Sequence, residues 1–236
     1  DEKINIKIRK NYLLLLSKLL DELLPKLLIQ NHPKQGTYQL LRFLNEISPN
    51  FEFIENLLSK SFIYNKLSEI LTFSGYITNL LTKDEKLFEI LDPYYAIRLN
   101  GNITIYKNEL NKIEYSYENE ENILNKLRQV HRKLKFQIIV SVITNEVRVE
   151  NASYEFSLLA RSILEKVIEI TYYLLKKQKK IKNCFYNDFG ILAYGRLANN
   201  SMTSNSDLDL VFIFPDQDKN FKNQREYSNI YNCFSK

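Results

Sequence analysis

Apolar residues recur along the first three quarters of the chain at helical spacing. Leucine, isoleucine and phenylalanine return every three or four residues, as on the buried face of a helix. The most apolar of these helices covers residues 11–28, and Pro33 with Gly36 is expected to end it. Four short helices are then predicted, at residues 39–47, 51–58, 61–73 and 75–81. This spacing predicts a stack of small helices packed side by side.

Two longer helices are predicted after this stack. The first runs from residue 121 to about residue 149, and the second from a break and cap at Asn151-Ala152-Ser153 to about residue 178. The β-branched residues Val140, Val142 and Ile143 make a strand the competing prediction within the first of them. Residues 1 to about 182 are nevertheless predicted to be almost entirely helical.

A period of two, typical of strands, appears only after Asn183. Residues 191–194 form a short apolar run that ends on Gly195, and the alternating run at residues 207–214 stops at Pro215. Residues i and i+2 of a strand share one face, so Asp207 and Asp209 are predicted about 6–7 Å apart on one side. Leu208 and Leu210 are expected to pack behind them. The predicted fold is mainly α with a small C-terminal α/β part.

Two carboxylates beside a glycine turn suit the binding of Mg²⁺ with a nucleotide triphosphate. Magnesium takes one or two carboxylates and fills its other positions with water and phosphate oxygens. A glycine lets backbone N–H groups approach those phosphates closely. A single D-x-D is more often an exposed strand face, but here the aspartates interrupt a run that is otherwise apolar. The pattern therefore favours a metal site at Asp207 and Asp209.

Residues 195–212 resemble the signature of the glutamine synthetase adenylyltransferase family, which lies within the polymerase β-like nucleotidyltransferase superfamily. The family pattern is G-K-L-G-G-R-E-L-x-x-x-S-D-L-D-L-I-F, and the chain has G-R-L-A-N-N-S-M-T-S-N-S-D-L-D-L-V-F without a gap. Ala198 and Asn199 replace the glycine pair, Ser201 replaces the glutamate, and Arg196 replaces the lysine. The two ends of the motif match and its middle differs.

The resemblance extends upstream at lower specificity. Residues 38–93 resemble the helical linker between the family's two catalytic halves, and Leu91-Asp92-Pro93 resembles its L-D-P ending. Residues 106–110 are similar to the Y-x-x-E-L that follows, and residues 127–131 to an L-R-x-F-K stretch, although Gln137 stands where an arginine is expected. The resemblance divides the chain into a helical linker domain (1–93), a long-helix segment (94–182) and a truncated nucleotidyltransferase palm (183–236).

The activity that this resemblance implies is transfer of AMP from ATP to a tyrosine of glutamine synthetase, in the regulation of nitrogen assimilation. Asp207 and Asp209 would be the catalytic residues and would hold Mg²⁺, while Gly195, Arg196 and Ser206 would contact the phosphates. The implied partners are glutamine synthetase and a PII-type nitrogen-signalling protein. The implied location is the cytoplasm.

The family also has a third carboxylate on a later strand, followed by R-L-R-P, and neither occurs before Lys236. Asp216, Asp218 and Glu226 lie in a polar segment with no strand pattern, so the isolated chain is expected to be inactive. Two alternatives stay open. In the first, the chain is a non-catalytic remnant or helical interaction module with a half-built nucleotide site. In the second, it is another small nucleotidyltransferase, although the long helical part of the chain argues against this class.

Composition and charge argue against nucleic-acid-binding, membrane-spanning and zinc-binding classes of protein. The net charge of +5 comes from lysines interleaved with acidic residues, so no nucleic-acid partner is expected. Charges and Pro25 interrupt residues 13–28 short of a membrane span. The two cysteines and two histidines lack zinc spacing, and reduced thiols fit a cytosolic protein.

The basic run at residues 176–182 suits either a solvated helix end or phosphate steering. Without a methionine at position one, the sequence is expected to come from a longer protein.

Overall fold

The computed structural model describes residues 2–47, 51–94, 98–115, 119–178 and 190–213, with side chains from residue 11 onward. Within these ranges every strand follows the last long helix, which confirms a mainly α fold with a small C-terminal α/β part. The α-helices are α1 (Glu2–Leu28), α2 (Pro33–Ile47), α3 (Phe51–Ser59), α4 (Tyr64–Phe73), α5 (Gly75–Lys83), α6 (Ile103–Asn111), α7 (Glu120–Ile143), α8 (Val149–Lys177) and α9 (Gly195–Ala198). Two 3₁₀ helices cover Ser61–Ile63 and Glu85–Leu91, and the strands are β1 (Gly190–Ala193) and β2 (Leu210–Ile213).

The chain divides into two compact units, each built from two stretches of sequence. Unit 1 comprises Asp1–Arg98 and Ile139–Val147, and unit 2 comprises Leu99–Ile138 and Arg148–Lys236. The predicted stack of short helices lies in unit 1. The two strands and the predicted site residues lie in unit 2.

Unit 1 buries the apolar faces of its short helices against α1. Leu19, Leu23 and Leu27 recur every four residues on α1 and are fully buried, since this spacing puts them on one face. α2, α3 and α4 each pack against α1. Phe88 of the second 3₁₀ helix contacts Phe53 of α3 edge to face with ring centroids 5.0 Å apart, and both rings are buried.

The prediction that α2 begins at Gln39 was wrong. α2 begins at Pro33, where a missing N–H costs nothing because the first turn of a helix has no acceptor for it. Gly36 lies inside the helix at a close approach to its neighbours, where a Cβ atom would lie 2.8 Å from Thr72 Oγ1 and 2.9 Å from Leu27 Cδ2. This glycine therefore permits close helix packing and does not mark a turn.

The break between the two long helices also differs from the prediction. The chain leaves the helix at residues 144–148, ahead of Asn151, which lies within α8. Asn145 takes a left-handed conformation (φ 57°), and the N–H groups of Glu146 and Val147 both donate to the Ser141 carbonyl, at 2.8 and 2.9 Å. This arrangement satisfies a carbonyl at the end of α7, so the chain can turn there. The β-branched residues before it are helical, as predicted.

Unit 2 is organised around α8, against which α6 packs. Its apolar core combines residues of α6, α7 and α8 and the segment after α6: Leu110, Ile113, Ile123, Leu127 and Ile170. Glu155 of α8 is 3% exposed and accepts hydrogen bonds from the Gly101 N–H at 2.7 Å and from the Tyr106 hydroxyl at 2.6 Å. Burial, together with the bond to Glu155, raises the pKa of the Tyr106 hydroxyl, which therefore stays protonated as a donor.

Candidate active site

The predicted site residues lie on and beside an antiparallel pair of strands. β1 and β2 pair from Gly190 opposite Ile213 to Ala193 opposite Leu210. One further bond, from the Tyr194 N–H to the Asp209 carbonyl at 2.9 Å, continues the pairing. After it, β1 turns away into the single turn of α9.

The strand predicted from Asp207 therefore begins later, at Leu210. β1 provides no partner for the residues before Asp209, because its chain enters α9 at Gly195. Leu208 is 42% exposed, so it does not pack behind the aspartates, and Leu210 is half-buried. The two aspartates lie on the approach to β2, and Phe214 and Pro215 fall outside the described residues.

Gly195 and Asp209 lie in direct contact at the end of the strand pair. Gly195 has a left-handed backbone (φ 59°), and a Cβ atom built on it would lie 2.8 Å from Asp209 Oδ2. An L side chain in this conformation is strained, and here it would also occupy the space of the carboxylate. The glycine thus lets the Asp209 carboxylate lie over the turn.

Asp207 and Asp209 are both exposed, and neither is paired with a cation among the described residues. Two unpaired carboxylates close in sequence repel each other and favour a cation between them. This donor set fits Mg²⁺, which needs only one or two carboxylates when phosphate oxygens and water complete its shell. Within the described part of the chain no group of three or more His, Cys, Asp or Glu residues is arranged to hold a metal alone.

Arg196 and Ser206, the other predicted site residues, lie on the segment between the aspartates and the glycine. Arg196 is exposed in α9, and its carbonyl accepts the Ser201 N–H at 2.9 Å. The Ser206 hydroxyl accepts the Thr203 N–H at 2.9 Å and lies 2.8 Å from Thr203 Oγ1. Ser206 therefore braces a local turn and keeps one lone pair or its proton for a ligand.

We call residues 195–209 the site loop. Besides its bond at Tyr194, the loop is attached to α8 at Met202, whose N–H donates to Ser157 Oγ at 3.3 Å. Met202 is 4% exposed and Ser157 is fully buried. This pair could not be predicted from the sequence, because a serine on an apolar helix face carries no motif. The only hint in the sequence was Met202, the one methionine of the chain, which is an apolar residue within a polar stretch.

None of the described helices is long and apolar enough to cross a membrane. α1, the most apolar segment by sequence, instead buries one face in the core of unit 1.

Comparison with known proteins identifies relatives of most of the chain. The sequence profile of the glutamate-ammonia ligase adenylyltransferase family matches residues 64–233. The bifunctional glutamine synthetase adenylyltransferase/adenylyl-removing enzyme of Alteromonas mediterranea is 27% identical over 225 residues, covering 90% of this chain and 23% of the relative. The enzyme of the same name from Idiomarina loihiensis is 25% identical over 218 residues, covering 89% of this chain and 22% of the relative.

The chain thus spans less than a quarter of the length of these curated relatives. The matched residues include α4 to α8, both strands and the whole site loop. On this match, which covers well over half of its residues, the chain belongs to the glutamate-ammonia ligase adenylyltransferase family.

Proposed function

We propose that the site loop binds ATP with Mg²⁺ and belongs to a domain that transfers AMP to a tyrosine of glutamine synthetase. The contact of the Asp209 carboxylate with Gly195 carries this proposal. It brings a metal-binding group to a glycine turn, and backbone N–H groups at such turns bind phosphates in other proteins. The family membership and the names of the relatives support the same reaction.

The proposed roles follow from the positions of the residues. Asp207 and Asp209 would hold Mg²⁺, which neutralises charge on the α-phosphate and on the leaving pyrophosphate. Gly195 would admit the phosphates to the backbone of the turn, and Arg196 and Ser206 would contact their oxygens. Arg196 suits this role because its exposed guanidinium is a planar donor that matches phosphate geometry.

In the transfer itself, the tyrosine oxygen attacks the α-phosphorus of ATP and forms a new P–O bond. The bond between the α-phosphorus and the bridging oxygen breaks, and pyrophosphate leaves with its electron pair. The tyrosine proton must pass to a base, because a phenol with a pKa near 10 is a poor nucleophile while protonated. The family resemblance assigns that base to a third carboxylate on a later strand.

The finer predictions stay proposals of the same kind. Glutamine synthetase is the proposed protein substrate, a PII-type nitrogen-signalling protein the proposed second partner, and the cytoplasm the proposed location. The division into a linker domain (1–93), a long-helix segment (94–182) and a nucleotidyltransferase domain (183–236) is proposed with them.

Replacing both aspartates tests the nucleotide site directly. In the double variant Asp207→Asn/Asp209→Asn, we expect the Mg²⁺-dependent affinity for ATP to fall by about tenfold or more, since each carboxylate ligand to a bound cation contributes on the order of 1–2 kcal/mol. Isothermal titration of the 236-residue chain with ATP, with and without Mg²⁺, measures this effect. The charge-matched control Asp21→Asn/Glu22→Gln changes exposed residues of α1 and should bind as the unaltered chain does. Equal affinities for all three proteins would contradict the proposed site and favour a helical interaction module.

Labelled ATP and glutamine synthetase test the transfer step. We expect the 236-residue chain to leave the synthetase unlabelled, because the two aspartates position metal and phosphates but do not remove the proton of the acceptor. A longer protein that adds the third acidic strand should transfer the label. Label that appears with the 236-residue chain and disappears in Asp209→Asn would show that two carboxylates suffice.

A further inference from the structure

We propose that Ser157 is the positioning residue of the nucleotide site, because it holds the site loop to α8 through the backbone of Met202. The proposal rests on the proposed function, since it concerns the binding of Mg²⁺-ATP at that loop. Ser157 lies on α8, far in sequence from the motif, and would touch neither metal nor nucleotide.

The Ser157 hydroxyl is an acceptor toward the loop because its proton is used elsewhere. Ser157 Oγ donates to the Ser153 carbonyl, one turn earlier in α8, at 2.8 Å. A hydroxyl has one proton and two lone pairs, so this bond leaves its lone pairs for the Met202 N–H at 3.3 Å. The contact is buried, and the Met202 N–H would lose its acceptor if the hydroxyl were removed.

Met202 attaches the middle of the loop, and short local bonds transmit that attachment to both ends. Toward Asp207, Thr203 and Ser206 form a closed turn through the Thr203 N–H and both hydroxyls. Toward Gly195, the Ser201 N–H donates to the Arg196 carbonyl at 2.9 Å. The buried side chain of Leu197 is a second apolar anchor on that side.

The strands alone are a weak support for such a loop. Among the described residues, β1 and β2 are four residues each and form a two-stranded sheet, and such a pair is marginally stable at best by itself. Leu192, Val211 and Ile213 are each between 46% and 48% exposed, so the outer face of the pair adds little burial. The attachment at Ser157 therefore decides how far the loop is ordered before ATP binds, and order before binding increases affinity.

The chain offers a matched control for this bond on the same helix. Ser162 is also buried in α8, and its hydroxyl donates to the Leu158 carbonyl at 2.9 Å in the same one-turn pattern. In the part of the chain that the structure describes, no hydrogen bond joins Ser162 to the site loop. Ser157→Ala and Ser162→Ala thus remove the same kind of helix bond, and only the first removes the acceptor of the Met202 N–H.

Amide hydrogen exchange and ATP titration of the two variants test the proposal. We expect Ser157→Ala to exchange faster at residues 199–209 and to bind Mg²⁺-ATP about tenfold more weakly, as for the loss of one buried hydrogen bond. Ser162→Ala should match the unaltered chain in both measurements. If Ser157→Ala does not fold, Ser157→Cys and Ser162→Cys replace the pair, since a thiol is a weak acceptor of similar shape.

The outcomes separate this proposal from the function on which it rests. Equal loop exchange and equal affinity in the Ser157 and Ser162 variants would overturn the positioning role while ATP binding by the unaltered chain still stands. An unaltered chain that does not bind Mg²⁺-ATP would overturn the proposed function and, with it, this role. Faster exchange and weaker binding confined to the Ser157 variant would support both.

Discussion

Gly195→Ala is expected to weaken the binding of Mg²⁺-ATP by about 10- to 100-fold. A methyl group at this position would lie 2.8 Å from Asp209 Oδ2, so either the carboxylate or the turn must move. The left-handed backbone adds a cost on the order of 1–3 kcal/mol for a residue with a Cβ. Both effects fall on the atoms that we propose to hold the metal. Isothermal titration with ATP in the presence of Mg²⁺ measures the change.

Gly190→Ala is the matched control, because a Cβ atom on Gly190 would have none of the described atoms within 4 Å. Gly190 begins β1, three residues before the end of the same strand, and its replacement should leave the affinity unchanged. Unchanged affinities in both alanine variants would contradict the proposed contact between the turn and Asp209. A loss in both would instead indicate general sensitivity of the strand pair.

Glu155→Ala is expected to give the largest loss of stability, about 2–5 kcal/mol in the free energy of unfolding. The variant leaves the Gly101 N–H and the Tyr106 hydroxyl without their acceptor, and Tyr106 is fully buried. Each donor left unpaired in the interior costs about 1–3 kcal/mol. Urea unfolding followed by circular dichroism measures the loss.

Two further variants divide this loss into its parts. Tyr106→Phe removes one of the two donors and should cost about 1–2 kcal/mol. Glu165→Ala removes an exposed glutamate of α8 that pairs with Lys107, and it should cost less than about 1 kcal/mol. If Glu155→Ala and Glu165→Ala were equally stable, the buried carboxylate would not have the role that its contacts indicate.

The fold class followed from the sequence because it depends on periodicity. Helical spacing of leucine and isoleucine, and a single region of period two, are local properties of the chain. The element ends were less predictable where the deciding contact is distant. Glycine is a common turn residue, so the sequence suggested a turn at Gly36. In the structure Gly36 instead packs against Thr72 and Leu27, which approach it only when the helices have packed together. Asn145 ends α7 in a left-handed conformation, which asparagine tolerates better than most residues, but Asn151 is a second asparagine close by in the sequence.

In the candidate site, too, local features were predictable and features that depend on distant contacts were not. The sequence predicted Asp207, Asp209 and Gly195 as site residues because the D-x-D and the glycine lie in one short motif, and the structure places the Asp209 carboxylate beside Gly195. The start of β2 was predicted too early, since strand pairing depends on where the partner strand turns away. Ser157 was not found, because its relevance comes from Met202, 45 residues later in the chain.

Each of the two units is built from two separate stretches of sequence, and this determines when each unit can be completed during translation. Residues 1–98 leave the ribosome before the rest of this chain, but unit 1 also includes residues 139–147, where Glu146 pairs with Lys66 at 2.6 Å. Unit 1 is therefore incomplete until all of α7 and the turn after it have left the ribosome, and residues 99–138 of unit 2 leave before that turn. Unit 2 waits longer, since its site loop and β2 are translated after α8. Translation therefore produces the helices before the aspartates, and the site loop leaves the ribosome after Ser157, the residue of α8 to which it is attached.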